Sequence, residues 1–174
     1  MTPASGGRGR PIDRGRPIDR NRPIDRDRQA AYDAERFAFE GSWLMARISS
    51  AQAIALAEGV VAAPAWRRLV PEPIAFSTTV GANSWCNGSL RIAFAPRVER
   101  ATVAHELAHA AAFHRAAGSA GHGAAWRGWF VTVVELVHGT EAAEGLAAAF
   151  ATYGLSVTPT GVEWVGRPLV GLGD

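Results

Sequence analysis

The sequence predicts an α+β domain in which a small, mostly antiparallel sheet packs on helices, behind a disordered N-terminal tail. Three observations carry this. Ala-rich stretches free of Pro recur from residue 27 onward, at lengths that suit helices. A compact block from Ile74 to Phe94 is rich in β-formers and contains Asn87-Gly88, the strongest short hairpin signal in the chain. Before residue 27 there is no apolar periodicity at all. The division is therefore a tail, 1–26, and one domain, 27–174.

Arg8 to Arg28 contains a hexapeptide three times over, with Arg-Pro-Ile-Asp-Arg at 10–14, 16–20 and 22–26. Proline at every sixth position forbids a helix, and one Ile per repeat cannot build a core. Met1 to Arg28 holds eight Arg and four Asp, a net of +4, whereas the remainder holds ten Arg and twelve acids, a net of −2. The basic character thus belongs to the tail. An Arg-rich arm attracts nucleic-acid phosphate. An Asp in each repeat halves that charge and no aromatic is interleaved for base stacking, so a solvated tandem repeat is favoured. All 18 basic residues are Arg, which reads as coding bias beside the abundant Ala and Gly.

Asp27 to Glu40 reads as a first helix ended by Gly41, with Tyr32, Arg36 and Phe39 on one side for packing. Ser42 to Ile48 is ambiguous between strand and helix. Ser49 or Ser50 can cap a second helix running to about Val61. Pro64, Pro71 and Pro73 mark a connection rather than a further helix. Strands follow at Ile74–Val80, Asn83–Cys86 and Ser89–Phe94. Cys86, the single cysteine, excludes an internal disulfide and a Cys-built zinc ribbon, and reads as a small buried residue. Pro96 can open a helix running from about Val98 to Arg115. A Gly-rich loop leads to an apolar helix from Ala124 to His138, and Thr140 caps a last helix to Tyr153. Gly161 to Val165 suits a short strand. No apolar run reaches the roughly 18 residues that span a bilayer, and no apolar signal segment is present, so a cytoplasmic protein without a membrane partner is expected.

The third of these helices carries the chemistry. His105-Glu106-Leu107-Ala108-His109 is an H-E-x-x-H sequence. Residues four apart lie about 40° apart around the axis and one turn along it, so His105 and His109 share a face and can hold one zinc ion. Glu106 lies on the neighbouring flank, placed to take a proton from an activated water. A catalytic zinc takes three protein ligands, so two histidines leave the set incomplete. His114 lies about 180° round the helix from His105 and points away. The longer pattern H-E-x-x-H-x-x-G-x-x-H fails at Ala112 and Arg115. Glu135 is spaced like a carboxylate ligand from a following helix, and His138 precedes Gly139-Thr140-Glu141. His122 is the strongest candidate, because the glycines before it let the chain reverse and bring a side chain back over the metal. Trp126 then falls where it can wall the site or join the core.

His105-Glu-Leu-Ala-His-Ala110 followed by His122-Gly-Ala-Ala-Trp126 resembles the SprT-like (Spartan-type) zincins, and the SLRIAF strand before the helix fits their layout. The resemblance covers roughly Ile74 to Trp129. It implies a minimal zincin-like core, zinc bound by His105, His109 and His122, and Glu106 as the catalytic base of a metallopeptidase acting on peptides or proteins. The chain departs from that family in lacking the cysteines of a zinc ribbon. It also resembles a group of small actinobacterial metallohydrolases. Two alternatives stay open: a small-molecule amidase or regulatory peptidase on the same zinc site, and a non-enzymatic, Arg-tailed nucleic-acid-binding protein.

Overall fold

The computed structural model describes residues 25–88, 90–115 and 121–162. Residues 1–24, which hold most of the tail expected to be disordered, and the proposed strand's residues 163–165 lie outside them. Within the described residues the α+β expectation holds. The elements run α1 (Arg28–Phe39), a 3-10 turn (Trp43–Met45), β1 (Arg47–Ser49), α2 (Ser50–Ala62), α3 (Pro64–Leu69), β2 (Ala75–Thr78), β3 (Trp85–Asn87), β4 (Arg91–Phe94), β5 (Arg97–Glu99), α4 (Arg100–Arg115), α5 (Ala124–His138) and α6 (Thr140–Thr152).

Two small sheets flank the helices. In the first, β3 pairs antiparallel with β4 around Asn87-Gly88, and β2 pairs parallel with the other side of β4, giving the order β2-β4-β3. Because the hairpin already occupies one edge of β4, β2 takes the other. β4 is buried on both faces in a continuous run, Ile92 to Phe94, as befits a central strand. In the second sheet β1 pairs antiparallel with β5, with Ile48 opposite Val98 and both side chains turned to the core.

That pairing corrects the expected start of the motif helix. Pro96 does not open α4. Residues 97–99 are used in the ladder with β1, bracketed by Ser50 N–H donating to Pro96 O at 3.2 Å and Arg100 N–H donating to Ala46 O at 3.1 Å. Only at Arg100 is the chain released into helix. The ambiguous stretch 42–48 resolves into both options, a 3-10 turn capped by Ser42 and then a strand. Ser49 caps α2 in a reciprocal capping box with Gln52. The connection expected at Pro64 is instead the helix α3, with Pro64 at its first position, where a missing N–H costs nothing. Trp66 and Leu69 bury one face of α3, and Arg115 ties its end to α4 by donating to Leu69 O at 2.9 Å and Arg68 O at 2.8 Å.

α4 is the buried axis. α5 packs along it, α6 packs on α5, α1 on α6, and β3 crosses α4. Ala101, Ala104, Ala108, Ala110, Ala111 and Ala112 are all buried, so small side chains let neighbours approach α4 from nearly every side. The motif residues His105 and Glu106 on this helix are accordingly buried. Among the described residues no helix is long and apolar enough to cross a membrane.

Candidate metal centre

α4 projects His105 and His109 from one face, as the four-residue spacing requires. The chain returns to that face after a turn in which Gly121 has φ +100°, a backbone state that L side chains rarely adopt, and delivers His122 just before α5 begins. The three imidazoles converge. Each offers a nitrogen, and these atoms lie within 4.8 Å of one another. The Nε2 atoms of His105 and His122 are 3.2 Å apart. Tetrahedral zinc at about 2.0–2.1 Å from each nitrogen has ligand atoms about 3.3–3.4 Å apart, so this pair already has the needed span.

What lies behind the rings decides which nitrogen faces inward. Glu35 Oε2 is 2.9 Å from His105 Nδ1, and Asp25 Oδ2 is 2.6 Å from His122 Nδ1. A carboxylate only accepts, so each Nδ1 carries the proton and donates it outward. Each Nε2 is left with a lone pair aimed at its neighbour. Two lone pairs at 3.2 Å repel unless a proton or a cation lies between them, and this is the observation that fits the cluster to a metal. It is the carboxylate–histidine arrangement that fixes tautomer and ring orientation in metal sites.

The electrostatics agree. Burial drives the His109 pKa down to about 2, helped by the neighbouring His105 and His122, so this imidazole is a neutral donor throughout the working range. His122 is also lowered, by burial and then by His105, against the opposing pull of Asp25. His105 differs. Burial lowers it most, but the Glu35 carboxylate, helped by Glu106, outweighs that and holds its pKa above the ordinary value without metal. Glu106 is 5% exposed, and burial raises its carboxyl to about 7 against the opposing effect of His105. It stands beside a cleft of about 480 Å³ that His105, Tyr32, Asn83, Ser84 and Thr102 also line.

Trp126, raised from the sequence as a wall or a core residue, is 0% exposed and forms the floor of the cluster. Its ring centroid lies 4.8 Å from His105, 5.0 Å from His109 and 4.5 Å from His122. Tyr32 also packs on the cluster, 5.5 Å from the His105 ring and 5.0 Å from that of His122. Aromatic rings against the histidines lower the local dielectric and so strengthen the electrostatics of the centre.

The other candidates are elsewhere. His114 pairs with Glu72 at 2.7 Å, Glu135 meets Thr140 at 3.5 Å, and His138 stacks edge-on against Trp43 at 5.3 Å. Cys86 is half-buried on β3. Burial pushes its thiol up to about 12, with Glu106 contributing. Sequence reasoning missed Asp25, Glu35 and Tyr32. Tyr32 and Glu35 sit three apart on α1, a side read only as packing, and Asp25 was assigned to the tail; only its position just before a helix set it apart from Asp13 and Asp19.

No curated protein and no solved structure gives a significant match to the chain. Residues 75–144 match the SprT-like family, and that span, from β2 into α6, carries His105, Glu106, His109 and His122 together, bearing out the resemblance read from the motif.

Proposed function

We propose that the protein is a zinc-dependent metallopeptidase in which His105, His109 and His122 hold the metal and Glu106 is the general base. The single observation that carries the reading is the convergence of three histidine nitrogens, two of them turned inward by carboxylates, beside a buried Glu106 that opens on a cleft. A zinc ion held there supplies a Lewis acid and a water acidified towards neutrality.

The chain's own residues do the rest. Glu106 accepts the proton of the attacking water and passes it to the departing amine nitrogen, a double duty that suits a carboxyl whose pKa has been lifted towards 7 by burial. Glu35 and Asp25 hold the His105 and His122 rings through their Nδ1 protons while charge at the centre changes. Trp126 and Phe130 keep bulk water from beneath the ligands. An open cleft rather than a closed cavity favours a peptide over a small amide. Strand addition on β3 (Trp85–Asn87), the outer strand of the order β2-β4-β3, would hold it extended.

The test is Glu106→Gln. The reading expects a variant that retains zinc and loses at least about 10²-fold in peptide hydrolysis, the contribution of a positioned base. Hydrolysis at the wild-type rate would remove Glu106 from the mechanism.

A further inference from the structure

We propose that Asp25, a residue of the third tail repeat, is a positioning residue for His122, so that the metal centre is completed by chain lying outside the family-matched span. The proposal rests on the zinc reading and extends it.

α4 fixes the backbone of both His105 and His109. His122 has no such support. It lies before α5, and its backbone is held by other means. Asp25 grips it twice: Oδ1 accepts from the His122 backbone N–H at 3.1 Å and Oδ2 from ring Nδ1 at 2.6 Å. The carbonyl of His122 accepts from Arg127 Nη1 at 2.6 Å, and the same nitrogen donates to Asp27 Oδ2 at 2.9 Å. Arg127, 2% exposed, is itself moored by Nε to Ser156 O at 2.7 Å. Every polar group of His122 is therefore committed, apart from the Nε2 that faces His105. Residues 25 and 27 supply both carboxylates of this network.

The turn is shaped to admit Asp25. A Cβ at Gly121 would come within 2.9 Å of the Asp25 carboxylate, so the glycine allows both the φ of +100° and the close approach of the acid. The repeat sequence thereby acquires a use. Its last copy places one Asp against the third ligand, two residues ahead of a second Asp that braces the same histidine through Arg127.

The experiment uses the full chain with Asp25→Ala, Asp25→Asn and, as a control, Asp33→Ala, whose carboxylate accepts from Gln29 on α1. Two quantities are measured: the zinc dissociation constant by chelator competition, and the ring ¹⁵N shifts of His122 in metal-free protein. Asp25→Ala is expected to weaken zinc about 10–100-fold and Asp25→Asn by less, since its amide keeps one of the two acceptors. Asp33→Ala is expected to change nothing. The wild-type ring is expected in the Nδ1-protonated form, and to lose that preference in Asp25→Ala. If Asp25→Ala does not fold, the isosteric Asp25→Asn carries the test. Unchanged zinc affinity in an otherwise zinc-binding protein overturns the proposal. If the wild type binds no zinc, the zinc reading fails instead, and the ring shifts alone decide: a tautomer lost with Asp25 supports its role, and an unaltered one overturns it.

Discussion

Gly128→Ala is the substitution whose cost the structure states most directly. Gly128 lies in the middle of α5, where alanine ordinarily stabilises by about 1 kcal/mol. Here a Cβ would stand 1.9 Å from the carbonyl oxygen of Thr158, because residues 156–160 run flush against the helix. A backbone oxygen has no rotamer through which to escape, so this segment must lift by about 1 Å or more. Three hydrogen bonds hold it down: Thr158 N–H to Ala124 O at 3.0 Å, Arg127 Nε to Ser156 O at 2.7 Å, and Thr132 to Thr160 between hydroxyls at 2.9 Å. Losing two or three at about 1 kcal/mol each outweighs the propensity gain and leaves a net loss of about 1–2 kcal/mol. For a domain of this size that is a fall in Tm of about 2–8 °C, read by circular dichroism or calorimetry on chelator-treated protein. A Tm equal to or above that of the wild type would refute the close packing of 156–160 on α5.

Two further outcomes follow from burial. His138 is held down to about 4 by burial and then by Arg100, and among the described residues neither of its buried ring nitrogens has a hydrogen-bond partner. Its folded pKa lies below the unfolded value near 6.5, so the unfolded chain takes up the proton first and the contribution to stability is lost as pH falls from about 6.5 to about 4. At 1.36 kcal/mol per unit the loss amounts to at most about 3 kcal/mol, and His138→Leu is expected to flatten the stability profile by that order in urea titrations without metal; superimposable profiles would contradict it. The Cys86 thiol, pushed up to about 12, is expected to be alkylated by iodoacetamide at pH 8 roughly 10³-fold more slowly than in urea-unfolded chain, and equal rates would show a freely ionising thiol.

Much of the centre was legible because helical spacing is a local property. His105, Glu106 and His109 follow from one turn of α4, and His122 from the need to reverse after it. Asn87-Gly88 announced the hairpin, and Ser49 or Ser50 the start of α2. What escaped was non-local or competed with a local signal. Pro96 looked like a helix opener, but pairing of 97–99 with β1, some 50 residues earlier, took precedence. Pro64 was read as a break although the first helical position suits proline equally well. Glu35 carries no pattern of its own, and the repeat that contains Asp25 points to no partner for it. Both acids matter only because α1 folds across α6 towards the histidines, and nothing short of the tertiary structure brings residue 25 to residue 122.

The central claim is that the three histidines form one zinc site with Glu106 outside the ligand set. The most direct measurement is zinc per chain, by atomic emission after equilibrium dialysis, for the wild type, Glu106→Gln and His122→Ala side by side. One equivalent is expected in the first two, with affinity markedly weakened in the third. No zinc in the wild type, or undiminished affinity in His122→Ala, would contradict it.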